Sequence, residues 1–171
     1  MATMNSGLGG PAGYGENVFS STSKTTGNND DGSVYVDTSS VFGGGIDFFG
    51  TTYTGLYVNS NGNITFGAAI TAYQTSNLAG TASRMIAPFW GDVNINSGGE
   101  IYWDLDAAAG TVTITWDGVA PYNGSGANSF QIVLTDIGGG NFTVEFIYED
   151  IQWTTGYSQV AQAGITDGGA N

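Results

Sequence analysis

The sequence predicts an all-β domain, an antiparallel sandwich or partly open barrel of about ten short strands with little or no helix. Three observations predict it. Apolar and polar residues alternate over most of the apolar segments, which is the period of a strand with one buried face. Turn residues (Gly, Asn, Asp) punctuate these segments at short intervals. Helical periodicity is missing almost everywhere; "AAITAYQTSNLAG" (68–80) is the one place where a helical turn fits.

In chain order, residues 1–15 are a Gly-rich lead or linker, and a polar run, "SSTSKTTGNNDDGS", follows before the strands of domain 16–171 begin. "GLYVNSNGNITFG" carries Asn61-Gly62 between two β-rich runs, a strong short-range hairpin signal. "RMIAPFW" (84–90) is apolar on both faces, as in a strand covered on both sides, and Pro88 inside it removes one ladder donor and so marks a bulge. In "EIYWDLD", Ile101, Trp103 and Leu105 face opposite to Tyr102, Asp104 and Asp106. In "TVTITWDG", Val112, Ile114 and Trp116 share a face opposite Thr111, Thr113 and Thr115. Phe130, Ile132 and Leu134 form a third apolar face. The three glycines of "TDIGGGNF" turn the chain into "NFTVEFIYED", where Phe142, Val144, Phe146 and Tyr148 alternate with Thr143, Glu145 and Ile147. The predicted core comprises Ile86, Phe89, Trp103, Ile114, Trp116, Phe130, Ile132, Val144 and Phe146, with all four tryptophans mostly inside.

Composition narrows the function. The chain has 171 residues, enough for one real core. Charged residues are 10%, and fifteen acids against two bases leave a net charge of −13. That field repels phosphate backbones and anionic membranes and attracts divalent cations. With no Cys and no His, thiol chemistry, imidazole zinc sites and a His general base are all excluded. No apolar run approaches a membrane span, and the N-terminus lacks the basic and apolar regions of a signal peptide, so any export signal is expected elsewhere or already removed. Arg84 is expected to pair with one of the many acids.

Carboxylate pairs are the first catalytic candidates, because glycoside hydrolysis needs only two. Asp104 with Asp106 and Glu145 with Glu149 fall on outward strand faces, where a solvated surface explains them; Asp30 and Asp31 are the third pair. Nothing else suggests an activated nucleophile. Calcium is the stronger candidate. "DVNINSGGE" sets Asp92, Asn94 and Asn96 at alternate positions, the oxygen spacing of the first half of a calcium loop. The register then fails, with Ser97 at the sixth position and Trp103 at the twelfth, so the loop is no EF-hand. The competing reading is a strand end followed by a turn built from Asn, Asp and Gly. Tyr53, Tyr57, Tyr73, Tyr102, Tyr122 and Tyr157 are candidates for a sugar-stacking platform, although each alone reads as an ordinary strand residue. The sequons at Asn63, Asn123 and Asn141 are as many as chance supplies.

Seven segments in order, "GLYVNSNGNITFG", "MIAPFWGDVN", "GEIYW", "VTITWDGVAPY", "NSFQIVL", "FTVEFIYEDIQWTTG" and "AQAGITDG", together resemble the nidogen-like (NIDO) domain of extracellular matrix and surface proteins. The upstream "DDGSVYVD…IDFFGTTYTGLYV" fits the same pattern, so the resemblance covers residues 28–168. It implies a non-enzymatic extracellular or cell-surface module, expected on a bacterial cell, that serves adhesion or matrix and filament assembly through contacts with other proteins or with copies of itself. A calcium-assisted glycan-binding module is the alternative. The family's acidic turn after "APFW" falls on Asp92, and no catalytic residues carry over. The family pattern continues past "AGITDGGAN", so a last strand is expected to be missing or supplied by another chain, with residues 1–15 as a candidate donated strand that would propagate head to tail.

Overall fold

A computed structural model describes residues 2–19, 25–74, 76–157 and 159–169. The architecture is all-β and open, with every paired strand antiparallel. The strands are β1 (Asn17–Val18), β2 (Thr26–Gly27), β3 (Gly32–Asp37), β4 (Ile46–Phe48), β5 (Thr51–Tyr53), β6 (Gly55–Asn59) and β7 (Asn63–Thr65). After them come β8 (Met85–Trp90), β9 (Glu100–Asp106), β10 (Thr111–Val119), β11 (Asn128–Gly138), β12 (Asn141–Ile151) and β13 (Gln162–Thr166). One sheet runs β1-β9-β10-β11-β12 and the other β13-β8-β7-β6-β3-β2, while β4 and β5 form a separate hairpin. The sheets do not close into a barrel. Among the described residues a single 3-10 turn, Leu78–Gly80, falls in the stretch singled out for a helical turn.

The core lies between the two large sheets. Trp116 of β10 stacks on Phe130 of β11 at a centroid distance of 5.2 Å, and Phe89 of β8 reaches across to Phe130 at 5.2 Å and to Trp153 at 5.0 Å. The indole N–H groups of Trp116 and Trp153 donate to the carbonyls of Ser60 (3.1 Å) and Val119 (3.0 Å), so both rings are buried without orphaning a donor. Seven of the nine predicted core residues are buried. Val144 and Phe146 pack against the core but stay half-buried, because β12 is an edge strand with a neighbour on one side only.

Strand β8 lies inside its sheet with all six residues buried, as its two-faced apolar run requires. Its outer face (Met85, Ala87, Trp90) is covered by Ile70 and Leu78. The pairing with β13 slips between Trp90↔Gln162 and Ala87↔Gly164, which puts the extra residue at Pro88-Phe89. The carbonyl of Pro88 accepts the Tyr148 hydroxyl from the opposite sheet at 2.6 Å.

Two expectations are corrected here. Arg84 does not meet a carboxylate: among the described residues its guanidinium donates to the hydroxyls of Thr51 (2.7 Å) and Tyr53 (2.5 Å). Ile147, placed by alternation on a polar face, is buried, because the lead covers that face. Residues 2–15 lie over the outside of their own first sheet. Met4 packs with Val133 and Ile147, and the Asn5 backbone exchanges two 2.8 Å hydrogen bonds with the buried Gln131 side chain.

Candidate functional site

At one end of the sandwich, the loop before β3, the loops after β7, β8 and β10 and the segment before β13 enclose a cleft of about 320 Å³. It is lined by Asp30, Asp31, Asp92, Tyr73, Tyr122, Asn123 and Tyr157.

Asp30 and Asp31 are presented by a turn built on Asn28, whose side-chain oxygen accepts the backbone N–H of Asp30 (2.7 Å) and of Asp31 (2.9 Å). That turn is pinned to the β6–β7 hairpin by Ser60, whose hydroxyl donates to the Asp30 carbonyl (2.5 Å) and accepts from Gly32 N–H (2.9 Å). The Asn61-Gly62 tip of this hairpin is buried, and its parts have separate duties. Gly62 has φ +73°, and a Cβ there would lie 1.9 Å from the Phe89 carbonyl oxygen, so the hairpin can touch β8 only with glycine at this point. The Asn61 side chain donates to Asp31 Oδ1 (2.7 Å) and the Ala72 carbonyl (3.3 Å) and accepts from Val93 N–H (2.8 Å). One amide therefore joins three walls of the cleft.

Asp92 follows the last residues of β8 and is 7% exposed. Its carbonyl accepts Tyr122 N–H at 2.9 Å, and its Oδ2 accepts Tyr157 N–H at 3.3 Å. Gly156 permits this approach, since a Cβ there would stand 2.6 Å from the Cβ of Asp92. The aromatic walls lean on one another edge to face, Tyr73–Tyr157 at 6.4 Å and Tyr122–Tyr157 at 5.8 Å.

The carboxylates are strained electrostatically. Burial, then the neighbouring Asp31 and Asp92, pushes the Asp30 carboxyl up to about 6, and its Oδ1 is buried without a hydrogen-bond partner. Burial also raises Asp92, partly offset by the Tyr157 N–H, with Asp31 adding repulsion. Among the described residues the one basic side chain is Arg84, which is committed to hydroxyls elsewhere.

The structure divides the residues singled out from spacing. Asp92 enters the cleft, whereas the Asn94 oxygen is taken by the backbone N–H of Asn96 (2.9 Å), the side-chain-closed turn weighed against calcium above, and Asn96 is exposed. Of the six tyrosines named for stacking, Tyr73, Tyr122 and Tyr157 come together. Tyr57 pairs with Tyr35, Tyr102 with Tyr14, and Tyr53 with Phe66. Asp30 and Asp31, read from sequence as a pair, join Asp92 from more than sixty residues away. Of the carboxylate pairs considered, theirs is the one adjoining a run of turn formers, "GNNDDG", and that was the available signal.

A family model described as NIDO related matches residues 13–171. Alpha-tectorin of Mus musculus is 32% identical over 159 residues, which covers 71% of this chain and 7% of the relative. Alpha-tectorin of Homo sapiens is 33% identical over 159 residues, with the same 71% and 7%. Dendrite extension defective protein 1 of Caenorhabditis elegans is 30% identical over 152 residues, covering 73% of this chain and 13% of the relative. The chain thus spans a small fraction of the length of these curated relatives. All three are animal proteins, which lends no support to a bacterial origin. No solved structure matches the chain significantly.

Proposed function

Because the chain belongs to the NIDO-related family, we propose that it is a non-enzymatic extracellular module that holds protein assemblies together through its own protein–protein contacts. The relatives support a matrix or surface setting. The observation that carries the contact role is the preformed cleft, where three tyrosines stand around three acids on a disulfide-free scaffold. Tyrosine supplies large, rigid contact area with a polar tip, and interface hot spots are enriched in it. The acids supply selectivity for a basic partner and speed its encounter.

The alternative is a calcium-assisted glycan-binding module, favoured by the gathering of three candidate stacking rings beside carboxylates. The test displays the purified chain on a peptide array of extracellular sequences and on a glycan array, each with calcium and with EDTA, beside light scattering for self-association. Saturable peptide binding or self-association that Tyr157→Ala weakens supports the proposal. Calcium-dependent glycan binding alone replaces it with the alternative. A chain that binds neither array and stays monomeric at high concentration overturns both.

A further inference from the structure

We propose that the cleft is a receptor for one alkylammonium group, the side-chain ammonium of a lysine presented by a protein partner. This rests on the reading of the domain as a protein-contact module and names what the contact recognises. Four features of the cleft converge on it.

Among the described residues, negative charge is concentrated here without a counter-charge: Asp30, Asp31 and Asp92 line one cavity, and Arg84 is engaged elsewhere. Two carboxylates are short of donors among the described residues: Asp30 Oδ1 is buried without a partner, and the carboxylate of the nine-tenths-buried Asp92 accepts one long bond, from Tyr157 N–H at 3.3 Å. A free carboxylate in that position costs folding energy until a donor arrives. The walls are aromatic, and the face of a tyrosine ring attracts an organic cation over several ångströms, most strongly when water is displaced. Finally, the oxygens are ill-disposed for a bare metal ion. Calcium takes about six to eight oxygens at short range, yet Asp31 Oδ1 is held by Asn61 and the Asn94 oxygen by its own turn. Among the described residues no three carboxylates converge closely enough to hold a metal. An ammonium group on a four-carbon stem needs no such convergence: it donates to one or two oxygens while its methylenes lie along the rings.

The experiment follows the tyrosine ring and Asp-loop amide resonances of the full chain by NMR while Nα-acetyl-lysine methylamide is added, with the norleucine analogue and calcium chloride as separate titrations. The expected result is a saturable shift confined to the cleft with the lysine compound and none with norleucine. Affinity should fall about tenfold in Tyr157→Ala and again in Asp92→Asn, and should weaken with salt. Tyr157 is 65% exposed, so its truncation leaves the fold intact, and a melting curve checks this. Asp30→Asn serves as a second variant should Asp92→Asn fail to fold. No shift with the lysine compound, equal shifts with norleucine, or saturable calcium binding that lysine does not compete with would each overturn the inference. Peptide binding on the array that persists despite such a failure would leave the protein-contact reading standing and sink this inference alone.

Discussion

Trp116 illustrates how much a single side chain carries. It is fully buried, stacked on Phe130, and its N–H is satisfied by Ser60 at 3.1 Å, on the same hairpin that positions Asn61. Trp116→Ala is expected to cost about 3–5 kcal/mol, as a large core truncation that also removes a hydrogen bond; denaturant melts measure it, and a shift near zero would contradict the packing described. Asn61→Ala is expected to cost about 1–3 kcal/mol by removing the amide's bonds to Asp31, Ala72 and Val93, although Val93 N–H keeps its bond to the Gly91 carbonyl (3.0 Å). The same change frees Asp31 and so disturbs the cleft, which NMR shifts at Asp31, Ala72 and Val93 would report. Gly156→Ala should loosen the Tyr157 wall more than it lowers the melting temperature, since the clash is local to Asp92.

Individual elements show what was readable in the sequence and what was not. Alternation marked β9 through β12 correctly because each presents one face to the core, and the bulge at Pro88 was readable because proline has no ladder donor to give. The lead was not readable. Its glycines and small polar residues carry no period, and its docking depends on Met4 and Asn5 finding Val133, Ile147 and Gln131 on strands more than a hundred residues away. Asp30 and Asp31 were readable as a pair, but their grouping with Asp92 was not, since it is purely a product of the fold. The lead's contribution can be measured directly. Met4 is 3% exposed, and Met4→Ala should cost about 2–3 kcal/mol. Removing residues 2–15 should uncover the face carrying Val133 and Ile147 and raise dye binding to exposed apolar surface; no change in either readout would mean the lead contributes nothing there.

At the scale of the whole molecule, the fifteen acids set how stability follows pH. Asp30 titrates in the folded chain at about 6 against an ordinary value of 3.8, so folding favours its protonated form. Its contribution is present below 3.8 and is lost as pH rises through 6; Asp92, also raised, acts in the same direction. Asp37 works oppositely, held low by its hydrogen bonds to Ser39, so its contribution fades as the solution becomes strongly acidic. The melting temperature should therefore rise on acidification from pH 7 to about 5 and fall below about 4. Asp30→Asn should melt higher than the parent at pH 7 and show a flatter rise, and a parent whose melting temperature is level from pH 7 to 5 would contradict the cleft electrostatics. A different consequence comes from where the first and last strands are stitched. β1 is sewn to β9 in one sheet by two residues, while β13 is sewn to β8 in the other by a longer seam. Tension applied across the module would have to pass through the apolar seam between the sheets, with β1 as its weakest stitch. Under traction the docked lead should peel first, at Met4 and Asn5, and β1 should yield next, a small give that leaves the sandwich and its acidic mouth intact.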